Sequence, residues 1–167
     1  MNKLYLAITI LTALTLFSGC AEKRQTQMIE SLGNATYVDI YTYPVTLSNG
    51  RWEGQPFIKG ASSRPIIWLG DDIYLQGDLD NDGQDELAVI LRKNSGGTGI
   101  YSYLAVMSLQ QEKMINLATV YIGDRVQIQN GRFTKGEIIL NIIQQGKDDA
   151  ACCPTQKTTV SWKFSDL

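Results

Sequence analysis

DDIYLQGDLDNDGQDELAVIL, residues Asp71–Leu91, sets an acidic loop between two apolar runs, IYL and LAVIL. Both runs are short and rich in β-branched or aromatic residues, which predicts a strand on either side of a turn. Inside the loop Asp78, Asp80, Asp82 and Glu86 recur at even spacings, with Gly83 at the bend. Alternate carboxylates, a glycine for the sharp turn and the backbone carbonyl of Gln84 just beyond it form the donor set of a hard, oxygen-seeking ion such as Ca²⁺. Asp85 falls between donor positions and is expected to point elsewhere. An EF-hand is excluded, because its closing bidentate Glu is replaced by Val89 and a strand rather than a helix follows. The competing reading is a plain Asp/Asn/Gly turn, since the same residues dominate metal-free turns. Four acids within residues 78–86 repel one another without a cation, which favours calcium.

Downstream and upstream of this loop the chain keeps the same character. YVDIYTY, FIKG, PIIWL, DIYLQ, ELAVIL, IYSYLAVMSL, MINLATVYI, RVQIQ, EIILNII and TTVSWKF all read as strands. Val160, Trp162 and Phe164 alternate with Thr159, Ser161 and Lys163, as a half-buried strand requires. Val126 and Ile128 alternate in the same way with Arg125, Gln127 and Gln129. Asn49-Gly50 and Asn130-Gly131 are dipeptides that favour tight hairpin turns. No long segment of helical period occurs between residues 36 and 167, and the acidic loop occurs once, so a repeat propeller is excluded. The expected fold is a single, mainly β, antiparallel domain over 36–167, either a sandwich or a partly open barrel.

The first residues have a different purpose. Lys3 supplies a positive start, Leu4–Phe17 is an apolar stretch too short for a conventional membrane span, and Ser18 and Gly19 precede Cys20. Residues 1–19 therefore read as a signal peptide, with 20–35 as a tether. Within it EKRQTQMIESLGN, Glu22–Asn34, is either a short helix ending at Gly33 or a stalk, and the stalk is preferred. The mature chain would hold 148 residues with 14 basic and 17 acidic side chains, a net charge of −3. That length suits one domain with a sizeable core. With no basic patch, nucleic acid is not expected as a partner.

The residue inventory limits the chemistry further. The chain has 0 His. That removes Ser-His-Asp and Cys-His catalysis, His-ligated zinc and the commonest general base. Lys93–Val106, KNSGGTGIYSYLAV, is glycine-rich but opens a strand, so it reads as a connector rather than a phosphate cradle. Cys152 and Cys153 are adjacent and precede Pro154, and with Cys20 acylated they have only each other or another molecule. They are either two free thiols or an oxidised neighbouring pair; two thiolates alone would leave half of a zinc shell empty.

Three resemblances follow from these residues. The LFSGC ending looks like the lipobox of bacterial lipoproteins, with Phe17 in the position usually held by Leu. It implies cleavage before Cys20, acylation of that residue and membrane attachment through its lipid. Ala21 resembles the outer-membrane sorting pattern, facing the periplasm if the cell is Gram-negative. The loop Asp78–Glu86 resembles the strand–loop–strand calcium loops of FG-GAP and VCBS repeats, in which the acid here numbered Glu86 closes the site. The lipobox, the DxDxDG loop, the SGG loop, VYIGDRVQIQ and CCPTQ together resemble a family of uncharacterised bacterial lipoproteins. That resemblance implies an address and a fold, not an activity. The expected function is a lipid-anchored cell-envelope module for binding or structure, with one Ca²⁺-stabilised loop. Its alternatives are a carboxylate-dependent envelope hydrolase and an inhibitor of an exogenous enzyme. A hydrolase needs a cleft with two converging carboxylates away from the loop, whereas a binding module should present an exposed apolar or aromatic patch, for which Tyr101 and Tyr103 are candidates, although tyrosines at alternate strand positions are more often simply packed.

Overall fold

The computed structural model describes residues 27–134 and 136–167, with the backbone but not the side chains of Asp72 and Ile73. The leader 1–19, Cys20 and the tether as far as Thr26 lie outside the described residues. A short helix, α1 (27–33), is followed by β1 (Thr36–Tyr37), β2 (Val45–Thr46), β3 (Arg51–Glu53), β4 (Ile66–Gly77) and β5 (Glu86–Asn94). The chain continues through β6 (Tyr101–Gln110), β7 (Lys113–Asp124), β8 (Gln127–Thr134), β9 (Glu137–Gln144) and β10 (Gln156–Lys163), ending in a 3-10 turn, Phe164–Asp166. A five-stranded sheet runs β3-β4-β5-β6-β7, a three-stranded sheet β10-β9-β8 and a small ribbon β1-β2. Every described pairing is antiparallel and no sheet closes into a barrel.

The run LAVIL lacks polar alternation because β5 is covered on both faces. Leu87, Val89 and Leu91 enter one core, where α1 and the segment after it contribute Leu32, Tyr37, Val45 and Leu47. Ala88 and Ile90 enter the other, against Ile138, Leu140 and Ile142 of β9. Strand β6 is divided in the same way, with Tyr103, Ala105 and Met107 to one side and Leu104 and Val106 to the other. The outer strand β10 keeps the expected alternation, with Val160 and Trp162 packed against the second core.

Several local expectations are corrected. Residues 27–34 are not a stalk: Leu32 is 1% exposed and Tyr37 Oη donates to its carbonyl at 2.9 Å. Of YVDIYTY only Tyr37 lies in a strand, and the rest bends over the sheet. FIKG forms a turn in which Ala61 N donates to Ile58 O at 3.0 Å, leaving Phe57 and Ile58 exposed. PIIWL and DIYLQ join into the single strand β4, whose pairing with β5 shifts between Leu69 and Tyr74. Asn49-Gly50 does turn, with φ of 51° and 78°. Asn130-Gly131 does not; it lies within β8, and the chain reverses between Thr134 and Glu137 instead. A Cβ on Gly131 would stand 2.5 Å from Leu140 Cδ2 and 3.1 Å from Leu75 Cδ1, so this glycine leaves room for its cross-strand neighbour Leu140 and for Leu75 of the facing sheet.

One side chain repairs an irregularity that pattern alone does not reveal. The β6–β7 pairing shifts between Val106 and Met107. Beside it Asn116 Nδ2 donates to the carbonyls of Val106 and Ala118, while Asn116 Oδ1 accepts from Val38 N and Thr119 Oγ1. All four hydrogen-bonding positions of the amide are thus used. The strands also give the domain two ends. Loop 78–85, the turn Gln111-Glu112 and α1 gather at one, around a cavity of about 610 Å³. The connector 95–100 and Arg125 lie at the other, with Cys152 nearby.

Candidate functional site

Strands β4 and β5 deliver the acidic loop at the first end. The left-handed φ of Asn81, 64°, and of Gly83, 89°, fold it back on itself. Carboxylate oxygens of Asp78, Asp80 and Glu86 lie within 4.8 Å of one another. Asp78 and Asp80 are exposed, whereas Glu86, the first residue of β5, is 2% exposed. Its Oε2 accepts from Leu79 N at 2.9 Å. Burial pushes the Glu86 carboxyl above its ordinary range; the Leu79 N–H opposes this, and the charges of Asp80 and Asp82 add to it.

The same carboxylates also hold the turn. Asp78 Oδ2 accepts from Gly83 N at 3.1 Å and Asp80 Oδ1 from Asp82 N at 3.0 Å. Asp82 stands outside the converging group, bound to Gln84 through its backbone N at 2.7 Å and its Nε2 at 3.2 Å. Asp85 points elsewhere, accepting from Gln76 Nε2 at 2.8 Å. The donor chemistry fits a hard divalent cation, because each carboxylate retains lone pairs beyond those the turn uses. Three carboxylates are fewer than the roughly six to eight oxygens that Ca²⁺ takes, so the Gln84 carbonyl, Asp82 released from Gln84, and water would complete a shell.

The neighbouring cavity is lined by Met28, Leu87, Leu109 and Met114 among others, with Asp85 and Glu112 at its wall. Asp85 is tied to Gln76, and this cavity adjoins the acidic loop rather than standing away from it. No second group of three converging metal-ligating side chains occurs among the described residues.

At the opposite end Tyr101 is half-buried and Tyr103 is only 8% exposed, so this pair packs against the first core rather than forming the expected exposed patch; both join a larger aromatic set. Tyr121 lies 5.4 Å from Tyr103 and 6.4 Å from Tyr101, centre to centre. Tyr41 stacks on Tyr43 at 5.3 Å and meets Trp52 at 5.8 Å. Only the tyrosine pair of β6 was visible as a candidate from alternation; Tyr41, Tyr43 and Trp52 come from loops and a short strand with no periodic signal. The connector beside them is folded by Asn94, whose Nδ2 donates to the carbonyls of Gly97 and Gly99 and whose Oδ1 accepts from Gly96 N.

Cys152 and Cys153 are joined in a disulfide between neighbours and are exposed. Asp149 braces their loop, accepting from Gly146 N at 2.8 Å and from Thr155 N and Oγ1 at 2.7 Å each. Those bonds, Gly146 first, hold its carboxyl below the ordinary value. Cys20 lies outside the described residues. No protein-family model, curated protein or solved structure matches this chain.

Proposed function

We propose that this chain is a lipid-anchored module of the bacterial cell envelope, acting in binding or structure, whose loop Asp78–Glu86 is fixed by one Ca²⁺. The observation that carries the reading is the convergence of Asp78, Asp80 and Glu86 within 4.8 Å, one of them buried at the start of the central strand. Like charges so close favour a cation between them. Binding rather than hydrolysis is supported by the exposed tyrosines at the far end and by Asp85 being tied to Gln76. The anchor is the lipid on Cys20, placed in the outer membrane and facing the periplasm if the cell is Gram-negative.

Thermal melting tests the metal. Extracellular sites of this kind bind with constants of about 0.1–1 mM. At about 1 mM Ca²⁺ and a constant near 0.1 mM, linkage stabilises the fold by roughly 1.4 kcal/mol. The melting temperature should rise by about 2–6 °C on adding Ca²⁺ to EGTA-treated protein, with less effect from Mg²⁺. Asp80→Ala should remove the rise. Identical melting in EGTA and excess Ca²⁺, with no heat of binding, would leave only a turn. Fractionation tests the anchor: Cys20→Ser should leave the membrane fraction or remain unprocessed, and an unmodified Cys20 at the mature terminus would refute lipidation.

A further inference from the structure

Lys93 continues the row Leu87, Val89, Leu91 on the face of β5 that forms the first core. Beyond the end of that core its Nζ lies 4.2 Å from the Tyr41 ring centre and 5.7 Å from that of Tyr103. It also reaches Tyr103 Oη at 3.5 Å. No carboxylate pairs with it among the described residues. Ring faces replace part of the water that burial removes from the ammonium, but they bring no counter-charge. Burial accordingly lowers the Lys93 pKa. Beneath the ammonium, Tyr41 Oη is buried without a hydrogen-bond partner of good geometry, although Ser95 stands beside it.

Two more rings pack on the two that meet this cation. Tyr43, stacked on Tyr41, is 52% exposed, and Tyr121, packed on Tyr103, is 53% exposed. An exposed aromatic face takes the C–H face of a pyranose ring, while phenol and serine hydroxyls match sugar hydroxyls. A neutral sugar would leave the ammonium without a counter-charge. A peptide of glutamates alone would supply the charge but no flat apolar face for the rings. We infer that Lys93, Tyr43 and Tyr121, backed by Tyr41 and Tyr103, bind an acidic saccharide, its carboxylate meeting Lys93 and its sugar faces lying on Tyr43 and Tyr121. This deepens the binding part of the proposed function and depends on neither the lipid nor the calcium ion.

Calorimetric titration of the full chain in detergent micelles, with Ca²⁺ present, tests it. The probes are trigalacturonic acid, its methyl ester and a glutamate trimer. Trigalacturonic acid should bind at least about tenfold more tightly than either of the others. Lys93→Met, which keeps the apolar stem, should abolish the preference over the ester, and Tyr43→Ala with Tyr121→Ala should weaken both saccharides. Unchanged melting temperatures establish that the variants fold. The inference is overturned if no saccharide binds, if acid and ester bind alike, if Lys93→Met changes nothing or if the glutamate trimer binds as well. A preserved calcium shift alongside any of these failures removes the saccharide and leaves the metal reading standing.

Discussion

Glu86 is where the acidic loop meets the hydrophobic core. Its carboxylate is almost fully enclosed and accepts from the backbone amides of Leu79 and Asp80. Glu86→Gln keeps an oxygen for Leu79 N and removes the buried charge. In EGTA this variant should melt no lower than the wild type; in Ca²⁺ it should lack the rise of about 2–6 °C expected of the native loop. A lower melting temperature in EGTA would mean that the charge itself supports the metal-free fold. Asp149 has the opposite sign. Its pKa is held below 3.8 by Gly146 and Thr155, so its contribution is complete above that value and is lost as pH falls through the lower folded value. The Thr155 amide resonance should therefore stay fixed at neutral pH and move only below pH 3.8, and Asp149→Asn should erase that titration.

Helix α1 carries the main lesson at the scale of elements. Its polar sequence has too few apolar points for a helical stripe, so the sequence favours a stalk. Leu32 nevertheless sits at 1% exposure in the first core. Leu32→Ala should cost about 2–5 kcal/mol, read from urea melts, whereas a true stalk would lose nothing. The flanks of the acidic loop were legible because strand residues and turn residues change there sharply. The outer strand β10 was legible because one face is wet, which imposes alternation. Burial of β5 on both faces explains why LAVIL carried no such signal and why two cores rather than one had to be found. FIKG misled for the converse reason: Phe57 and Ile58 are apolar, but nothing covers them. Gly131 misled because a glycine required by close sheet packing looks, in sequence, like one required by a turn. At the candidate site the acids were readable from spacing, while the exposed tyrosines of the loops and the buried state of Glu86 depend on long-range packing.

Across the whole molecule, α1 and the acidic loop share one end and the aromatic rings with Lys93 occupy the other. Strand β5 separates them by about 30 Å at the usual rise per residue. A lipid on Cys20 would join the first end, opposite the tyrosines, through a tether spanning at most about 25 Å. Cys152 and Cys153 are exposed in a peripheral loop, so replacing both with Ser should leave membrane fractionation unchanged and lower stability by only about 1 kcal/mol, within the low range for disulfides. Global unfolding of that variant at room temperature would show that the loop supports the fold. Strand β7 closes the five-stranded sheet, with no further strand beyond it among the described residues. Such a margin offers backbone groups to any extended chain, including another copy. Here the register shifts distort it, and Asn116 clasps Val38 across it at 2.8 Å. If that clasp shields the margin, Asn116→Ala should sediment as larger species at concentrations where the wild type does not; unchanged sedimentation would show that the amide serves only the β6–β7 irregularity.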